Sequence, residues 1–134
     1  MQKKILVVED NQMNLELVSD ILEAHGYAVI QAQGGQEALQ IAREQQPDLI
    51  LMDIQLPEMD GLEATRLLKA SEETKDINVV ALTAHAMRGD EEKAREAGCS
   101  GYIAKPINTR EFAQIVAGFL NGNGDGSGNG KATR

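Results

Sequence analysis

The sequence predicts an α/β fold built on one parallel sheet, and three observations carry that prediction. Short apolar runs at residues 5–8, 49–52 and 79–82 have no polar alternation, as expected of strands buried on both faces. Amphipathic stretches of helical period separate these runs from one another. The βα unit recurs about five times, which implies helices covering both faces of the sheet and right-handed crossovers.

The elements follow in order. Residues 5–8 (Ile, Leu, Val, Val) form the first strand. Residues 11–25 place Leu15, Val18 and Leu22 on one helical face, and Gly26 ends that helix. Residues 27–32 read as a strand, with Gly34 and Gly35 as the turn after it. Residues 37–46 are helical, with Ala38, Leu39 and Ala42 together, until Pro47 stops them. Residues 48–53 are the most apolar strand and belong at the centre. A loop over 54–61 carries Pro57 and Gly61. The next helix, 62–70, turns Ala64, Leu67 and Leu68 inward. Residues 78–83 are a strand, 86–97 a helix with Ala94 and Ala97 as its main inward residues, and 101–104 a short strand. Residues 109–120 form the last helix, with Phe112, Ile115, Val116 and Phe119 at helical spacing.

Bulk properties narrow the function classes. The chain has 134 residues, of which 42% are hydrophobic, enough for one domain with a sizeable core. A net charge of −8 and an aromatic content of 3% disfavour binding to nucleic acid or an anionic membrane. A single cysteine, Cys99, excludes an internal disulfide. No apolar stretch reaches the roughly 20 residues of a membrane span, and the start runs into a strand with no signal peptide. A cytoplasmic protein is expected. From Asn121 onward five of the 13 glycines mix with Asn, Ser and Asp, so 121–134 is expected to be a disordered tail after a domain over 1–120.

Charged and hydroxyl groups sit at the strand ends. Glu9 and Asp10 close the first run, Asp53 the third, Thr83 the fourth and Lys105 the fifth. In a parallel sheet these C-terminal ends share one edge, where open α/β sheets bind ligands. Two carboxylates about 4 Å apart repel by about 4 kcal/mol at an effective dielectric of 20, so the cluster requires a proton or a cation. All-oxygen donors suit a hard ion such as Mg²⁺, which pairs one or two carboxylates with water and phosphate oxygens. Lys105 and Thr83 then suit a phosphoryl group carried on Asp53 as an acyl phosphate.

The motifs at 8–11 (Val-Glu-Asp-Asn), 52–61 (Met-Asp-Ile-Gln-Leu-Pro-Glu-Met-Asp-Gly), 82–84 (Leu-Thr-Ala) and 101–106 (Gly-Tyr-Ile-Ala-Lys-Pro) occur in one order across residues 3–120. As a set they resemble the receiver domains of bacterial two-component response regulators. The segments 83–93 and 97–103 make the chain similar to single-domain regulators of the DivK type, and Glu9, Asp10, Asn11 and Asn14 also resemble receivers of hybrid histidine kinases. The resemblance implies a flavodoxin-like (βα)5 doubly wound sheet of strand order 2-1-3-4-5. It implies that Asp53 takes a phosphoryl group from a phosphohistidine on a histidine kinase or phosphotransfer protein. It further implies that Asp10, Asp53 and the Gln55 carbonyl ligate Mg²⁺, with Glu9 acting through water. Lys105 would pair with the phosphoryl group, Thr83 would follow it, Tyr102 would act as the switch aromatic, and Pro106 would follow a cis bond. The output would be a changed protein–protein surface rather than turnover of a substrate, with only self-phosphorylation and self-dephosphorylation as chemistry.

Gln55 and His85, each two residues past a site residue, are expected to border the pocket. His25 at a helix end and Cys99 before a strand read as structural. The helix with few large apolar residues, 86–97, reads as weakly anchored and suited to movement. A Mg²⁺-dependent aspartyl phosphatase would need an acid where Gln55 stands. A flavin or nucleotide binder would need a phosphate-cradling loop where Glu9, Asp10 and Asn11 stand. A receiver cut from a hybrid kinase remains the alternative origin.

Overall fold

The computed structural model describes residues 2–83, 88–105 and 108–120, with backbone alone at 88–90. Five strands, β1 (Lys4–Val8), β2 (Ala28–Ala32), β3 (Leu49–Asp53), β4 (Asn78–Thr83) and β5 (Gly101–Ala104), alternate with five helices, α1 (Gln12–Ala24), α2 (Gly35–Gln45), α3 (Gly61–Ala70), α4 (Arg88–Ala97) and α5 (Phe112–Leu120). All strand pairs are parallel, in the order β2-β1-β3-β4-β5. The most apolar strand is therefore the middle one, as its composition required. All five residues of β3 are buried. The register sets Val8 beside Met52 and Asp53 beside Leu82, so the strands end together at one edge.

Alternation along each strand splits the core into two layers. Leu6, Val8, Ile50, Met52, Val79 and Ala81 meet the inner faces of α2, α3 and α4, including Ala38, Ala64 and Ala94. Ile5, Val7, Leu49, Leu51, Val80 and Leu82 meet Leu15, Val18 and Leu22 of α1 and Phe112 and Val116 of α5. The small residues on α2, α3 and α4 let those helices approach the sheet closely.

Several element ends differ from expectation for local reasons. The second helix starts at Gly35 rather than Glu37, because Glu37 reaches back to the backbone N–H of Gln33 (3.0 Å) and closes the first turn. It ends with Gln46 in the left-handed region, φ 49°, directly before Pro47. The last helix begins at Phe112, three residues late. The Asn108 side chain accepts from the N–H groups of Arg110 and Glu111 and so holds 109–111 as a turn. Leu67 is corrected from inward to exposed (44%), and Ile115 is also largely exposed (39%). Each lies one position from a buried residue, Leu68 and Val116, which takes the inward place. The start expected for the fourth helix at 86, Pro106 and the tail 121–134 lie outside the described residues. No described helix is long and apolar enough to cross a membrane.

Candidate functional site: an acidic edge with one lysine

β1 and β3 deliver the acids. Glu9 follows the last residue of β1 and its N–H donates to Ala32 O (3.0 Å), which continues the strand pairing by one residue. That carries its carboxylate inward, and Glu9 is only 1% exposed. Asp10 stands outward and exposed. Asn11 then caps α1 by accepting from the Asn14 N–H (3.0 Å), while its own N–H donates to Glu9 Oε2 (3.1 Å). Asp53 is the last residue of β3 and is buried. One carboxylate oxygen of each of Glu9, Asp10 and Asp53 lies within 4.8 Å of the others, and this is the single such acidic group among the described residues.

Lys105 crosses from the end of β5 to this cluster. Its backbone N–H donates to Thr83 O (2.7 Å), which fixes where the stem leaves the sheet. Its Nζ donates to Glu9 Oε1 (2.7 Å) and to Asp53 Oδ2 (3.2 Å). The other Asp53 oxygen, Oδ1, accepts from the Gln55 N–H (3.0 Å). Thr83 closes β4, buried, opposite Ala104 of β5. The expected assembly of Glu9, Asp10, Asp53, Thr83 and Lys105 at one sheet edge is therefore the observed one. His85 lies outside the described residues.

One ammonium among three carboxylates leaves the cluster short of positive charge. Burial lifts the Glu9 carboxyl above its usual range, and the hydrogen bond toward Asp53 adds to this against the opposing Lys105 bond. Desolvation pulls the Lys105 ammonium down, but the Glu9 bond and the Asp53 charge outweigh it, so its pKa is raised. Both partners moving upward reflects the stoichiometry: two buried carboxylates hold the lysine's proton firmly, and one lysine cannot neutralise both. The donor set, three carboxylates with no nitrogen or sulfur, fits a hard divalent cation.

Two further contacts were not read from the sequence. Gly61, treated there as a loop residue, is the first residue of α3, and its Cα packs directly on the Asp53 carbonyl. The Gln55 N–H, rather than its side chain, engages the Asp53 carboxylate. The glycine at 61 marks a tight approach without naming what it approaches, and the Gln55 contact has no signature in residue type; both depend on how the 54–60 loop returns. Tyr102 on β5 is half-buried against the layer that holds Ala81 and Ala94. Burial, then the neighbouring Glu91 carboxylate, which also bonds its hydroxyl, raises its pKa. His25 closes α1, with Nδ1 2.9 Å from Ile21 O. Cys99 is buried.

Comparison with known proteins agrees with this geometry. The profile of the response regulator receiver domain matches residues 5–117. The chain belongs to the response regulator receiver family. This receiver is 52% identical over 120 residues to the polar-differentiation response regulator DivK of Brucella ovis, covering 90% of this chain and 98% of that one. Among solved structures it resembles the receiver domain of the sensor histidine kinase PA1611 from Pseudomonas aeruginosa, determined with a magnesium ion coordinated in its active-site cleft. That match has a TM-score of 0.83 at 37% identity and covers 90% of this chain and 99% of that one. A response regulator from Chloroflexus aurantiacus gives a TM-score of 0.86 at 30% identity, with 90% and 99% coverage. The receiver thus has the flavodoxin-like strand order expected from its motifs.

Proposed function

We propose that this receiver is a phosphorylation-controlled binding switch in which Asp53 accepts a phosphoryl group from a phosphohistidine on a histidine kinase or histidine phosphotransfer protein. The observation that carries the proposal is the Asp53 carboxylate itself. It is buried, tethered through Oδ1 to the Gln55 N–H and through Oδ2 to Lys105, with Glu9 and Asp10 beside it. An Asp53 oxygen attacks phosphorus, the P–N bond to imidazole breaks with its electron pair going to nitrogen, and a P–O bond forms an acyl phosphate. Lys105 supplies a cation that can pass from carboxylate to phosphoryl oxygen. The Thr83 hydroxyl is the donor assigned to a second phosphoryl oxygen, and Tyr102 the side chain that reads its movement. Glu9, Asp10, Asp53 and the Gln55 carbonyl are the groups that would hold Mg²⁺. When bound, that ion supplies the counter-charge that lets a dianionic group approach an acidic edge.

The output is altered affinity for a downstream protein, with nucleic acid and membrane disfavoured as partners by the acidic charge, and a cytoplasmic setting. The 52% identity to DivK over 98% of that regulator's length supports the free-standing regulator over the alternative origin. Gln55 in place of an acid argues against a phosphatase that must protonate a leaving group.

Incubation with acetyl phosphate and Mg²⁺, read by intact mass, tests the proposal. Wild type is expected to gain one phosphoryl group that hydroxylamine removes, and Asp53→Ala none. An adduct on Asp53→Ala, or none on wild type, overturns it.

A further inference from the structure

The acceptor aspartate ends β3, paired with Leu82 of β4. The first turn of α3 also lies against its main chain. A Cβ built on Gly61 would overlap the carbonyl oxygen of Asp53 and stand 2.9 Å from both Asp53 C and Ile54 Cα. No real Cβ tolerates such a separation from backbone, and backbone cannot step aside as a flexible side chain does. The backbone at Gly61 has no positive φ, so glycine is required there by space and not by conformation.

Three hydrogen bonds hold this contact closed. The Gly61 N–H donates to Ile54 O (2.9 Å), and the Ile54 N–H donates to Leu82 O (3.0 Å) of β4. The Thr65 hydroxyl, fully buried, donates to Gly61 O (2.8 Å). Asp60 caps the same turn by accepting from the Glu63 N–H (2.8 Å). The Cys99 thiol, from the segment after α4, lies 3.9 Å from Thr65 Oγ1 and donates to it. The N-terminal turn of α3 is thus pinned between the acceptor strand and the segment before β5.

We infer that Gly61, locked by the Thr65 hydroxyl, is a positioning residue that sets the Asp53 carboxylate for phosphoryl uptake. The inference rests on Asp53 being the acceptor. A methyl group at position 61 must push the Asp53–Ile54 peptide off its place, and the Gln55 N–H that orients Oδ1 moves with it. A displacement on the order of 1 Å can cost about a hundredfold in rate. A group that only supported the fold would lower the melting temperature and leave uptake by the folded fraction intact.

The test compares wild type, Gly61→Ala, Thr65→Val and Thr65→Ser at low temperature, with folded fractions matched by circular dichroism. Phosphoryl uptake from acetyl phosphate with Mg²⁺ is measured across donor concentration, and the Gln55 amide resonance is recorded. Gly61→Ala is expected to lose roughly 10- to 100-fold in maximal rate with the half-saturating donor concentration little changed, because Lys105 remains. The Gln55 amide should shift. Thr65→Val should lose less in the same direction, and Thr65→Ser should recover. Equal maximal rates in wild type and a folded Gly61→Ala overturn the inference alone. Should Gly61→Ala not fold, unchanged uptake in Thr65→Val overturns it. Absence of uptake by wild type instead removes the acceptor reading beneath it.

Discussion

Replacing Lys105 with methionine tests the charge arrangement directly. Its Nζ sits 2.7 Å from Glu9 Oε1 and 3.2 Å from Asp53 Oδ2. At an effective dielectric of 20 these separations correspond to gross attractions of about 6 and about 5 kcal/mol. Desolvation of three charged groups offsets much of that, at several kcal/mol per ion. Removing the lysine leaves the desolvation and takes away the attraction, and breaking a buried pair in this way costs about 3 to 5 kcal/mol. For a domain of this size the loss is a fall in Tm of roughly 10 to 20 °C. With no Trp and two Tyr, circular dichroism is the suitable probe. The sign with pH follows from Glu9, whose folded pKa lies above its ordinary value of 4.5. Such a carboxyl contributes stability below pH 4.5 that disappears as pH rises through the folded pKa. Without the Lys105 bond that value rises further, so the penalty of Lys105→Met should be small near pH 4 and grow toward pH 7. Added Mg²⁺ should recover more Tm in the variant than in wild type. A variant that melts within about 2 °C of wild type at pH 7 without metal refutes the reasoning.

Two further outcomes follow from burial. The Cys99 thiol is pushed up to about 11, mainly by desolvation. It should resist a disulfide reagent at pH 8 in native protein and react at once in denaturant; rapid native labelling would contradict its placement. Leu51 of β3 is fully buried between α1 and α5. Leu51→Ala should cost about 2 to 5 kcal/mol in urea unfolding with an unchanged m-value.

The sheet was legible because each strand carries its own apolar signal, and four of the five, all but Ala28–Ala32, also carry a charged or hydroxyl end. Asn78–Thr83 and Gly101–Ala104 match their expected bounds for that reason. Helix starts were less legible, since they depend on side chains reaching the backbone, as Glu37 does to Gln33 and Asn108 to residues 110 and 111. Leu67 shows the limit of periodicity. Leu67 and Leu68 fit the apolar stripe equally well by type, and only the docking angle of α3 on the sheet selects Leu68. At the site, Glu9, Asp10, Asp53, Thr83 and Lys105 could be placed from their positions at the C-terminal ends of parallel strands. The Gly61 contact could not, because it joins a residue to backbone eight positions away through a loop whose path has no periodic signature.

The placement of Asp53 reconciles a stable core with a strained edge. Four apolar residues of β3 precede it, all buried, and their burial sets the strand whether or not the last residue is content. The acid is carried inward by neighbours that gain far more than it loses. Glu9 is carried in the same way by β1. The surplus negative charge is therefore imposed by the hydrophobic effect on groups that would otherwise seek water, and Lys105 answers only part of it. A site held in that condition favours any partner that brings positive charge, and under the proposed function a phosphoryl dianion enters it only in company with one. That is why cation binding and phosphoryl binding should be coupled here with the same sign. Each should raise the affinity for the other, by equal factors.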